Sequence, residues 1–300
     1  MRPNYIQLLV FLLLIVGCKE ETKNTSQDAK ALQVVSKKKT TDNLNISILL
    51  DLSDRINPVK NSNGTMEYYQ RDLGYIAAIT KAFENHIMHK KIQKIKDQIQ
   101  VFIDPEPSDI TLNEKIAALK LEFNRHNATK EYINKIQETY QFNCKDIYET
   151  AIKDGKYIGS DLFNFFKNKV SNYCIKKNQR NILIILTDGY MYHKDSRIKD
   201  KNETTYLTSK LIRGFKLNTT NWKKRFEKNN YGFLSVEQNL KELEILVLGI
   251  NPLKHNPFEK DVIKSYWSKW FNEMNVKKHQ IKSADLPIYL EDVIEDFINN

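Results

Sequence analysis

Apolar residues along the chain fall into two patterns. Short unbroken runs that stop at a polar turn alternate with longer stretches whose apolar positions recur every three or four residues. The run Ile46-Ser47-Ile48-Leu49-Leu50 ends at Asp51, and residues 99–103 end at Asp104-Pro105. Residues 181–186 (NILIIL) end at Thr187-Asp188-Gly189, and residues 243–250 (LEILVLGI) at Asn251-Pro252. Runs of this kind fit strands buried on both faces of a parallel sheet. Tyr69, Leu73, Ile76, Thr80, Phe83 and Ile87 mark an amphipathic helix. Residues 106–154 read as mostly helical, with Ile116, Leu119 and Phe123 on one helix and Ile136, Tyr140, Cys144, Ile147 and Ala151 on another. Phe163, Phe166, Val170 and Tyr173 continue the helical pattern. Val262, Tyr266, Trp267 and Trp270 mark a later helix, Ile281 a short last strand, and 287–298 a closing helix. This alternation predicts the α/β class: a doubly wound, mostly parallel central sheet with helices on both faces, formed by one domain over 44–299. No Pro/Gly/Ser linker divides that region, and it shows no internal repeat.

The first 43 residues follow a different pattern. Arg2 precedes an apolar run over 6–17. That run is shorter than the about 20 residues a membrane-spanning helix needs, so 1–17 reads as a signal peptide. It ends in Ile15-Val16-Gly17-Cys18, which resembles a bacterial lipobox. The resemblance implies that Cys18 is lipidated, with palmitate-type chains, and becomes the mature N-terminus. Residues 18–43 are polar and read as the lipidated Cys and a flexible tether. Lys19-Glu20-Glu21 resembles the surface-export signal of lipoproteins in the Bacteroidota. The expected location is therefore the outer membrane, surface-exposed or periplasm-facing. Lys37-Lys38-Lys39 reads as a solvated charge run within reach of anionic head groups.

Composition narrows the function classes. Of 300 residues 41 % are apolar, which excludes a wholly disordered chain, and three Cys exclude a disulfide-dense scaffold. The net charge of +10 favours acidic partners or surfaces. A basic insertion over 191–240 interleaves Lys210, Arg213, Lys216, Lys223, Lys224 and Arg225 with Trp222 and Phe226. It could be a lid or specificity surface, or an amphipathic helix with a solvated face. No DNA- or RNA-binding signature accompanies it, so no nucleic acid is expected. The chain carries no nucleophile elbow, P-loop, HExxH or CxxC pair, so neither catalysis nor a small-molecule substrate is expected. His193 could serve as a general base or be a bystander. Cys144 and Cys174 could form a disulfide, contributing roughly 3 kcal/mol at best. Their helical spacing equally fits two buried free thiols.

In open α/β sheets ligands bind beyond the carboxyl ends of the strands, where the strand order reverses. Three candidate turns lie there or just before a strand: Asp51-Leu52-Ser53-Asp54-Arg55, Gly159-Ser160-Asp161-Leu162 and Thr187-Asp188-Gly189. Their hydroxyl and carboxylate oxygens suit Mg²⁺, Mn²⁺ or Ca²⁺ better than Zn²⁺. The combination DLSDR, GSDL, ILTDG resembles the von Willebrand factor type A domain and its metal-ion-dependent adhesion site. The resemblance implies that Asp51, Ser53, Ser160 (in place of the family's Thr) and Asp188 hold Mg²⁺ or another divalent cation. It also implies that an acidic group from a partner protein completes the coordination.

Arg55 stands where the family has a second Ser. A guanidinium has no acceptor and is always charged. Pointed inward it would compete with the cation and pair with Asp51 or Asp188. Pointed outward it would leave a place for Asp54 or water. Asp54, Arg55 and Asp161 are thus the residues that modify the site. Structural capping is the competing role for Asp51 and Asp188, and Asp104 reads as structural. The chain reads as a membrane-anchored, non-enzymatic lipoprotein that binds a protein partner. One alternative is a Mg²⁺-dependent phosphoester hydrolase using Asp51, Asp188 and a third carboxylate from Asp104 or Asp161. Another is a structural envelope component with a degenerate site.

Overall fold

The computed structural model describes residues 42–157, 159–253 and 255–300. The signal peptide, Cys18 and the tether up to residue 41 lie outside the described residues.

Six strands form the central sheet: β1 (Leu44–Leu50), β2 (Lys96–Phe102), β3 (Leu121–Asn124), β4 (Arg180–Leu186), β8 (Leu243–Ile250) and β9 (Lys278–Ser283), in the order β3-β2-β1-β4-β8-β9. All neighbours run parallel except β3, which lies antiparallel on the outer edge of β2. The class is a doubly wound α/β fold, as the alternation predicts. β1, β4 and β8 are buried at every position. Their side chains divide between two cores according to the two-residue period of a strand. Ile46, Ile48, Ile182, Ile184 and Leu246 face one core; Leu49, Leu183, Ile185 and Val247 face the other.

The first core is closed by α1 (Tyr68–Met88), α4 (Ile136–Asp154) and α10 (Pro287–Asn299), with α2 (Ile110–Ala118) and α3 (Lys130–Asn134) beside them. The second is closed by α5 (Leu162–Asn168), α6 (Val170–Tyr173) and α9 (Glu259–Glu273). Trp267, Trp270, Tyr266 and Phe271 of α9 are fully buried there.

Two sequence expectations change, and the open choice for Cys144 and Cys174 is decided. Leu121–Asn124 is a strand where a helix was expected through Phe123. Ile116, Leu119 and Phe123 satisfy a helical spacing, but Leu121 and Phe123 are buried while Glu122 and Asn124 are exposed, a period of two. The free edge of β2 supplies the backbone partners that settle the choice. The insertion is not one amphipathic helix. It folds as α7 (Ser209–Gly214), α8 (Trp222–Lys228) and a small sheet of β5 (Lys199–Asp200), β6 (Glu203–Thr204) and β7 (Gly232–Phe233). Its Leu207, Ile212, Leu217, Phe226 and Phe233 enter the core under α9. Finally, Cys144 and Cys174 form no disulfide. Both are buried free thiols, Cys144 in the first core and Cys174 in the second, on opposite faces of the sheet. Burial pushes both thiols up, Cys174 to about 12.

Candidate functional site

The strand order reverses between β1 and β4, whose carboxyl ends are Asp51 and Thr187-Asp188. A cleft of about 660 Å³ opens there. It is lined by all four predicted ligands, Asp51, Ser53, Ser160 and Asp188, and by Asp54 and Arg55. Two antiparallel bridges, Leu52 with Gly159 and Ser160 with Tyr192, tie the three loops together. Ser160 thereby arrives at the cleft although it precedes β4 rather than following a strand of the sheet.

Asp51 is buried and its carboxylate is anchored on both oxygens. Oδ1 accepts from the Ser53 backbone N–H at 2.9 Å, and Oδ2 from the Thr187 hydroxyl at 2.8 Å. Thr187 therefore joins the ends of β1 and β4, a positioning role that its place in the TDG turn did not reveal. Asp188 is half-buried; its Oδ1 accepts from the Tyr190 N–H at 3.0 Å. Burial, then the charge of Asp51, push the Asp188 carboxyl up to about 7, against the pull of Arg55. The Ser160 hydroxyl is buried and has no hydrogen-bond partner among the described residues. Asp54 is exposed and meets Lys60 at 3.3 Å.

Arg55 points inward, but not at Asp188. Its Nη2 donates to Asp72 Oδ2 at 2.5 Å and to the Leu186 carbonyl at 2.9 Å, and its Nε donates to the Asp51 carbonyl at 3.0 Å. The Asp51 carboxylate lies 3.5 Å from Nε. Tyr148 of α4 donates its hydroxyl to the same Asp72 oxygen at 2.8 Å. Arg55, Asp72 and Tyr148 are all buried. Burial works against the guanidinium charge, and Asp72, Asp51 and Tyr148 outweigh it, holding Arg55 charged. Burial pushes the Asp72 carboxyl up, and Arg55 opposes this. The Arg55 charge is thus matched by Asp72 beneath the floor of the cleft. Arg55 is shared between Asp72 and Asp51, so Asp51, Asp72 and Asp188 set three carboxyl groups against one guanidinium.

Those donors fit a hard divalent cation: two carboxylates, two hydroxyls including one orphaned and buried, and room for water. The motif's second hydroxyl has no counterpart, because Arg55 is committed elsewhere. Neither Asp104 nor Asp161 is free to join. Asp104 is buried and pairs with Lys169 at 3.3 Å. Asp161 caps α5 by accepting from the Asn164 N–H, accepts the Ser196 hydroxyl, and lies 3.3 Å from His193 Nδ1. Among the described residues no three His, Cys, Asp or Glu side chains cluster as a metal cage.

The turn after β4 is held by packing as well. Gly189 has φ +92°, and a Cβ there would sit 2.6 Å from both Ile250 Cδ1 and Ile263 Cγ2. Its carbonyl accepts from Trp267 Nε1 at 2.9 Å. Gly189→Ala should cost about 2–4 kcal/mol, combining positive-φ strain with overpacking, and chemical denaturation would read it.

No protein-family model matches the chain, and no curated protein matches it. Several solved structures resemble it weakly. One is an aerotolerance-related membrane protein from Bacteroides fragilis NCTC 9343, at 10 % identity over 86 % of this chain and 98 % of that one, with a TM-score of 0.38. Another is the pilus adhesin SpaC from Lactobacillus rhamnosus GG, at 10 % identity over 86 % of this chain and 30 % of that one, with a TM-score of 0.40. A third is proximal thread matrix protein 1 of the mussel byssus, at 13 % identity over 86 % and 46 %, with a TM-score of 0.34.

Proposed function

We propose that the domain is of the von Willebrand A type and binds a protein partner at this cleft, through a divalent cation held by Asp51, Ser53, Ser160 and Asp188. The observation that carries this reading is their convergence. Three separate segments bring four hard oxygen donors to one cleft at the reversal of strand order, and one of them, Ser160, is buried without a partner. The cation, when bound, would neutralise the two carboxylates and accept an acidic group of the partner. The chain's own part is to fix the donors. Thr187 and the Ser53 N–H orient Asp51, the Tyr190 N–H orients Asp188, and Arg55 locks the two strand ends.

A protein partner suits the rim. Tyr192 and Leu253, on different loops of the cleft, are 49 % and 51 % exposed. Exposed aromatic and aliphatic side chains around a polar centre are what an interface buries. A lipidated Cys18 would hold the domain at the outer membrane through the tether over 18–43. The hydrolase alternative lacks its third carboxylate, since Asp104 and Asp161 are both engaged.

Thermal unfolding in EDTA against Mg²⁺, Mn²⁺ or Ca²⁺ tests the cation. An ion at 100 times its dissociation constant adds about 2.7 kcal/mol, roughly 5–10 °C for a domain of this size. The expected result is a shift that Asp51→Ala and Asp188→Ala both abolish. The same shift in both variants would overturn the assignment.

A further inference from the structure

Seven Lys and Arg residues lie between 210 and 228 against the single acid Glu227. All seven are exposed. None pairs with a carboxylate among the described residues. Some cations elsewhere are held, Lys60 by Asp54, Lys81 by Glu291, Lys145 by Glu149, and Lys269 by Glu203 and Glu273, but no other stretch this short gathers seven with one acid. The unpaired charge is carried by α7 and α8, and α7 starts at the cleft. Thr208 and Ser209 line the cleft wall; Lys210 follows directly, and Arg213 Nη1 donates to Ser209 Oγ at 2.8 Å.

We propose that α7 and α8 form a docking face for an acidic polypeptide segment, continuous with the cleft through Ser209. This rests on the protein-binding reading of the cleft and adds to it where the partner's remaining charge lies. Like charges gathered in one short segment with a single acid repel one another, and a run of carboxylates relieves that repulsion. The face is poorly built for single-stranded nucleic acid. The rings on and around α7 and α8 pack against the fold: Phe226, Tyr231 and Phe233 are buried, Phe215 stacks on Tyr231, and Trp222 packs against Phe226. Beside these cations bases would find no exposed ring of α7 or α8 to stack on.

The test uses the full chain and a fluorescent deca-glutamate peptide, read by anisotropy in EDTA. Wild type is expected to bind, with affinity falling at least about tenfold between 50 and 300 mM salt as the contacts are screened. K210E/K223E/K224E should lower the low-salt affinity at least about tenfold, and K130E/K135E/K153E, at equally exposed lysines, less than about twofold. Equal losses in the two triple variants, or no binding by wild type, would overturn the proposal. So would an oligo-dT or anionic vesicle that binds wild type as tightly and loses as much in K210E/K223E/K224E, because the face would then be a general polyanion surface. Asp188→Ala distinguishes the two readings. It should lose the cation-dependent thermal shift and keep deca-glutamate binding in EDTA within about twofold, so failure of the cation reading leaves this result standing.

Discussion

Arg55→Leu should lower the unfolding free energy by about 3–5 kcal/mol, the range for breaking a buried ion pair by removing one partner. Asp72 is 1 % exposed, so its carboxylate would lose its cation and keep only the Tyr148 hydroxyl. The Leu186 and Asp51 carbonyls would also lose their donors at the point where β1 and β4 part. The loss therefore falls on the strand ends that carry Asp51 and Thr187. Denaturant unfolding reads the magnitude, and the pair variant Arg55→Leu/Asp72→Leu identifies its origin. Removing both charges should recover a large part of the loss, since the cost of the single variant is mostly the stranded carboxylate. A loss below about 1 kcal/mol for Arg55→Leu would show that the network does not hold the switch point. Arg55→Ser, which supplies the hydroxyl that the proposed adhesion-site reading expects there, is subject to the same cost. Any gain in cation binding by that variant must be measured against a weakened fold.

The strands and helices that build the two cores were legible because their apolar periods are long and unambiguous. NILIIL and LEILVLGI are buried at every position, as such apolar runs require, with Glu244 paired to Arg180 at 2.7 Å. The site motifs were legible for a related reason: each hydroxyl or carboxylate turn sits at a boundary that the hydrophobic pattern already marks. Three features were not. The four residues of β3 are too few for a period of two to outvote a helical coincidence, and only the edge of β2 decides it. The insertion distributes its apolar residues among short elements that are stable only against α9, so no local period describes it. The partner of Arg55 lies 17 positions away. A signal for it existed, because Asp72 falls on the apolar stripe of α1 beside Tyr69 and Ile76, and a carboxylate buried there requires a cation. Tyr148, on the core face of α4 next to Ile147, carries a fainter form of the same signal.

Asp188→Asn should stabilise the protein in EDTA relative to wild type, by an amount that grows by up to about 2 kcal/mol between pH 5.5 and pH 8. The sign follows from burial and the neighbouring charge of Asp51, which hold the folded carboxyl up at about 7, above the ordinary value of 3.8 that the unfolded chain has. In that window the folded state binds the proton and the unfolded state does not. The associated stability is complete below the unfolded value and is lost as pH rises through the folded one. Asparagine keeps the shape and an oxygen to accept the Tyr190 N–H, and carries no charge for Asp51 to repel. The full shift would correspond to about 4 kcal/mol, but Asp188 opens onto the cleft and solvent screens part of it. Urea melts of both proteins at pH 5.5, 7 and 8 read the difference, and other titrating groups cancel between them. A constant gap across that range would show that the folded Asp188 carboxyl is not held up near 7. A divalent cation bridging them should close the gap at pH 8 by stabilising wild type alone, and should act weakly at pH 5.5, where Asp188 holds its proton. Repulsion without a cation and its relief with one are two sides of the same charge arrangement, so the ion-free melts predict the pH at which cation binding becomes strong.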